Sequence, residues 1–195
     1  MTADTHTARL ATLAGTLVLA LAMPVSASAQ DRAPAVSSAI GECETAARSG
    51  ADMARALGAC DFALRDSSLR TEERARILIN RAALSAARGN GAAAITDLDT
   101  ARAELPDLPE LYLNLSAAQI RVGNYDAAEA SARRALDLGL EDSHLAYFNR
   151  GIALERLDRH EDAYRAYSEA ARLAPDNQLI ATQPRRYVRH QPSGS

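Results

Sequence analysis

The side chains able to do chemistry in this chain are few and scattered. Histidine occurs at His6, His144, His160 and His190, and none stands one helical turn from a second histidine in a metal-ligand pattern. His160 lies beside Glu161 and Asp162, a grouping that reads as solvated surface. The chain holds no glycine-rich phosphate loop, no G-x-S-x-G elbow and no H-E-x-x-H helix. No catalytic residue, metal ligand or cofactor is therefore assigned, and the chain does not read as an enzyme. What remains is two thiols, Cys43 and Cys60, and three amides, Asn80, Asn114 and Asn149, which recur at matched positions.

How the thiols are read depends on the compartment. Residues 1–29 have the layout of a signal peptide: Arg9 gives a modestly positive start, Leu10 to Met23 is an apolar run, Pro24 breaks it, and Ala27 and Ala29 form an A-x-A cleavage site. The expected mature chain begins at Gln30 and is periplasmic or secreted. The run falls short of the roughly 20 apolar residues that span a bilayer, with retention as an uncleaved anchor the alternative. In an oxidising compartment Cys43 and Cys60 are expected to be bonded, and two thiols without clustered histidines cannot complete a zinc shell. The other reading is two buried thiols packed as small apolar residues.

Charge excludes two partner classes. The 195 residues carry a net charge of -3, so there is neither the basic face of a nucleic-acid binder nor a polybasic membrane patch. All 22 basic residues are arginine. That choice suits bidentate carboxylate recognition or reflects coding bias.

The elements that must position these groups are set by a repeat. Ser116, Gly123, Ala128 and Ala135 are matched about 34 residues earlier by Ala82, Gly89, Ala94 and Ala101, and about 35 later by Gly151, Asp158, Ala163 and Ala170. Such a period means stacked helical hairpins. Apolar residues at i, i+3 and i+4 place hairpins over about 37–66, 74–105, 109–138 and 144–174, after a flexible lead-in over 30–36. The first helix is expected to start at a Ser37 or Ser38 cap. Cys43 falls on the first arm of the first hairpin and Cys60 on the second, so a bond would staple the two. The tail 178–195 opens with apolar residues, then turns basic and rich in Pro, Ser and Gly, and reads as a short cap followed by disorder.

Over residues 37–177 this spacing resembles the tetratricopeptide repeat family, with Tyr112, Tyr125 and Tyr147 as aromatics and Pro175 closing the last unit. Small residues belong where helix axes approach to about 8 Å. The first hairpin is the weakest copy. The resemblance implies an all-α solenoid of about four hairpins, a right-handed superhelix whose concave wall is lined by first arms, and a peptide or protein partner in that groove. In family members asparagines placed like Asn80, Asn114 and Asn149 grip an extended peptide. The alternatives are that these amides support packing or turn to water. Leu113, Ala117, Ile120, Phe148 and Ile152 would form an apolar floor, with Arg121 and Arg156 at its edge. A second role, assembly or self-association through helical edges, draws on Tyr164, Tyr167 and Leu173 at the last hairpin.

Overall fold

The computed structural model describes residues 33–188, all of whose regular structure is helical. Eight longer helices pair into four antiparallel hairpins: α1 (Pro34–Ser49) with α2 (Met53–Ala63), α3 (Thr71–Ala87) with α4 (Gly91–Glu104), α5 (Pro109–Arg121) with α6 (Tyr125–Asp137), and α7 (Ser143–Arg156) with α8 (His160–Leu173). Two short helices follow, α9 (Gln178–Ala181) and α10 (Arg185–Val188). The signal segment 1–29 lies outside the described residues.

Local chemistry sets the helix ends. Helix α1 begins at Pro34 rather than at Ser37 or Ser38, because proline at the first helical position has its φ pre-set and lacks only an N–H that would have no helical partner there. Helix α3 starts three residues before the expected Arg74: the Glu73 carboxylate accepts from the Arg70 backbone N–H at 3.1 Å, closing the first turn. Asn90 caps α4 by accepting from Ala93 N–H at 3.2 Å. In the turns of the second and third hairpins Gly89 and Gly123 take φ of 88° and 79°. Asp158 takes the same left-handed conformation in the fourth turn at φ 58°.

The repeat's small residues sit where the arms cross, and they are buried: Ala82, Ala94 and Ala101, then Ser116, Ala128 and Ala135, then Gly151, Ala163 and Ala170. Close approach is strictest at Gly151, where an added Cβ would meet the Tyr167 ring at 2.6 Å. The core is continuous but changes character along the stack. Leu78, Ile79, Leu98, Leu111 and Leu115 fill the α3–α4–α5 region, and Leu113, Leu145, Phe148, Leu154 and Tyr167 fill the last one. The first hairpin is packed mostly with alanine.

Successive first arms touch one another, α1 against α3, α3 against α5 and α5 against α7, whereas consecutive second arms make no comparable contact. A stack whose arms meet on one side and fan out on the other must curve toward the side that meets. The first arms therefore form the inner wall of the solenoid.

The tail departs from expectation. The expected cap is present but longer, since residues 178–188 dock on the last hairpin: Ile180 is 1% exposed and the Tyr187 ring stands 6.2 Å from Tyr164 and 6.1 Å from Tyr167, while 189–195 lie outside the described residues. Aromatic area accounts for the difference, since Tyr187 supplies a large apolar face within an otherwise polar stretch. Tyr167 is thereby buried, while Tyr164 and Leu173 keep 38% and 39% exposure, so the edge named for assembly is covered at one of its three residues.

Candidate functional site

The inner wall is built by α3, α5 and α7, and on it the sequence-predicted residues separate into two groups. Asn80, Asn114 and Asn149 are core, with 0%, 4% and 4% exposure. Asn149 Nδ2 donates to Ser116 Oγ at 2.8 Å, joining α7 to α5. Asn114 Nδ2 donates to the Glu110 carbonyl one turn back, at 3.0 Å. A groove-facing ladder is thus replaced by buried amides, Asn149 facing the joint with α5 and Asn114 its own helix. The residue in register with Ser116 one hairpin earlier is Ala82, which has no hydroxyl, and this explains why Asn114 turns to its own helix.

Leu113 and Phe148 are likewise core, not floor. Leu113 is fully buried among residues of the fourth hairpin, and the Phe148 ring packs at 5.8 Å on Tyr167. Of the other predicted residues, Ile120, Arg121 and Ile152 are partly exposed, Arg156 is exposed and Ala117 is buried. The two arginines sit over the turn of the preceding hairpin. Arg121 reaches Gly89, and its Cβ lies against Gly91, where an added methyl would also meet Val122 Cγ1 at 2.8 Å. Arg156 stacks its guanidinium 5.9 Å from the centre of the Tyr125 ring.

Charged pairs tie the hairpins together at places composition did not single out. Arg81 is gripped by both Asp97 oxygens, at 2.6 and 2.8 Å, and by Asp61 of the first hairpin at 2.6 Å. The hydrogen bonds that Arg81 donates to Asp97 push its pKa further up, so it stays charged. Arg150 Nε meets Glu129 at 2.9 Å across the joint between the third and fourth hairpins. Asp97 and Ser131 stand in register, and each bonds the first arm of its own hairpin, Ser131 to Gln119 at 2.8 Å. That register match was readable in the sequence; the partners were not.

The last hairpin carries its own polar knot. Glu155 accepts from Tyr167 Oη at 2.8 Å and from Arg186 Nη2 at 2.5 Å. Burial raises the Tyr167 hydroxyl well above the ordinary tyrosine range, with the Glu155 charge adding to it. Tyr187 is pushed up to about 12, again by burial first and Glu155 second. Neutral phenols at this joint are structural, since neither is set against a nucleophile or a base relay. Among the described residues no group of three His, Cys, Asp or Glu is arranged to hold a metal ion.

Cys43 and Cys60 form a disulfide with Cα atoms 5.1 Å apart, both fully buried between α1 and α2.

Comparison with known proteins follows the same hairpins. Models of the tetratricopeptide repeat match residues 144–177 and 109–138. Among solved structures the chain is similar to the first TPR domain of human RPAP3, at 24% identity and a TM-score of 0.56, covering 60% of this chain and 91% of that one. It is similar to the first TPR of Spaghetti (RPAP3) bound to the HSP90 peptide SRMEEVD, at 22% identity and a TM-score of 0.57, covering 64% and 97%. A third likeness is to MamA, at 20% identity and a TM-score of 0.60, covering 73% and 80%. At such identities the likeness is one of fold. The chain thus carries two tetratricopeptide repeats matched outright, and the hairpin before them keeps the same register of small residues.

Proposed function

We propose that the protein is a non-catalytic interaction module, an exported adaptor that holds a peptide segment of an envelope partner along the wall formed by α3, α5 and α7. The observation that carries this reading is the serial contact of first arms, α1 on α3, α3 on α5 and α5 on α7, with Ile120, Arg121 and Ile152 partly exposed and Arg156 exposed on the last two of these helices. Ile120 and Ile152 offer apolar contact to an extended segment, and Arg121 and Arg156 offer charge-assisted hydrogen bonds at its margin. The Spaghetti domain of the same fold, solved bound to an HSP90 peptide, supports peptide binding as a use of this architecture. Mild net acidity argues against nucleic acid as the guest.

Export is supported by the signal-like layout of residues 1–29 and by the buried disulfide, which suits an oxidising compartment. Among the described residues no helix is long and apolar enough to cross a membrane.

The test is cross-linking in intact cells followed by identification of captured proteins, with wild type compared with an Ile120→Glu/Ile152→Glu variant. Both positions are partly exposed, so the variant keeps its helicity while capture drops at least tenfold. Equal capture by the two proteins would sink the inner-wall reading. Amino-terminal sequencing of the mature protein tests export separately, with Gln30 the expected first residue.

A further inference from the structure

We propose that the α1–α2 hairpin opens as a unit separate from the rest of the stack and that its Cys43–Cys60 bond controls that opening. Oxidised protein then presents four stacked hairpins, and reduced protein three. The proposal is independent of what the inner wall binds.

Three observations carry it. First, the hairpin's own core is poor. Its buried apolar residues are Ala39, Ile40, Ala46, Ala47, Ala56 and Ala63 around the two cysteines, so Ile40 is the one branched aliphatic among them. Alanine buries little area, and helices this short are marginal without tertiary support. Second, the attachment is narrow. Within the described residues the hairpin packs mainly on α3, through Ile77, Ala83 and Leu84, and its polar ties include Asp61 to Arg81 at 2.6 Å and the Leu64 carbonyl to Arg74 at 3.3 Å. In a solenoid each unit is held by its own stability and its neighbour interfaces, so a terminal unit with a thin core is the first to open. Third, the disulfide spans 17 residues and joins the two arms, which supplies within the hairpin the constraint that its side chains do not.

Burial orders the events. Both cysteines have 0% exposure, so a reductant cannot reach either sulfur while the hairpin is closed. Opening comes first. A thiolate of a dithiol reductant then attacks one cysteine sulfur, the S–S bond breaks, and the departing cysteine thiolate takes up a proton. The reductant's second thiolate displaces the other cysteine, which is protonated in turn, leaving two cysteine thiols and an oxidised, cyclic reductant. Once reduced, the open hairpin loses the constraint that favoured reclosing, and the face of α3 carrying Ile77 and Leu84 is uncovered.

The experiment is amide hydrogen exchange on the full chain, oxidised and after dithiothreitol treatment, with a Cys43→Ala/Cys60→Ala variant in parallel. Reduction is expected to speed exchange across residues 34–64 by about 100-fold, the factor that closing a loop of this size implies, while residues 75–173 keep their protection. Unchanged exchange over 34–64 would overturn the proposal, and so would an equal loss over 75–173 in the reduced protein and the variant alike. The order of events has its own readout: Asp61→Ala, which removes a tie to α3, should speed disulfide reduction several-fold in otherwise oxidised protein. An unchanged reduction rate would overturn the requirement that opening precede attack.

Discussion

The two ends of the solenoid are held by opposite means. At the amino-terminal end a hairpin lined with alanine is fastened by a covalent bond between its arms. At the carboxy-terminal end no covalent bond is needed, because Phe148, Tyr167 and Tyr187 stack in sequence, α9 buries Ile180, and Glu155 gathers Tyr167 and Arg186. Small side chains let helices approach closely but bring little apolar area, whereas aromatic ones bring area and need space made for them. Gly151 makes that space. Each end thus solves the exposed-edge problem of a repeat stack with the resource its sequence has, a crosslink in one case and packing in the other.

Breaking the packed end should have the largest effect. Tyr167→Ala removes a ring that is 1% exposed and strips Glu155 of a hydrogen bond, and it should lower stability by about 4 kcal/mol in urea denaturation. A loss below about 1 kcal/mol would mean the aromatic column is not what holds this end. Next comes Gly151→Ala, in which a single methyl is forced to within 2.6 Å of the Tyr167 ring. The ring must move, at a cost of about 1–3 kcal/mol by thermal unfolding. The same change at Gly41, where nothing lies within 4 Å of an added Cβ, should be neutral or slightly stabilising and serves as the control at the stapled end.

A smaller change sharpens the comparison between turns. Asp158 holds φ 58° where the two preceding turns use glycine, so Asp158→Gly should raise stability by up to about 1 kcal/mol. Gly123→Ala, at φ 79°, should lower it by a similar amount. Opposite signs in calorimetric melts are the expected result, and equal signs would show that the turns are not equivalent.

Alkaline pH gives the gentlest probe. Burial pushes Tyr187 up to about 12, above the ordinary tyrosine value of 10.0, so folding favours the neutral phenol. The stability this contributes is intact below pH 10.0 and is lost as pH rises toward about 12. The cap over α8 should therefore loosen in that window, followed through tyrosinate absorbance, while the disulfide end stays closed. Tyr187→Phe should remove the Tyr187 share of the transition.

What could be read from the sequence, and what could not, follows from the same contrast. Small residues at a fixed period specify where helices cross, and that rule is local to each hairpin, so the four hairpins and the staple between Cys43 and Cys60 were legible. The asparagines were not. Register shows that Asn80, Asn114 and Asn149 occupy equivalent positions, but whether an amide faces a groove or a joint depends on the neighbour one hairpin away. For Asn149 that neighbour is the Ser116 hydroxyl. Leu113 is hidden for a related reason, buried among residues of the next hairpin, whereas Phe148 turns onto Tyr167 of its own hairpin. Tyr187 was hidden by its surroundings, one aromatic in a stretch otherwise typical of a loose tail.

The bond from Asn149 to Ser116 also makes the repeats non-interchangeable. A chimera in which the third hairpin is replaced by a copy of the second would set Asn149 opposite the methyl of an alanine, burying an amide with nothing to receive it, a penalty of about 1–3 kcal/mol. Shuffling the units would be resisted by one oxygen atom. The order of the hairpins along the chain is therefore not only inherited from covalent sequence; it is enforced at the seam, much as a key admits only the lock cut beside it.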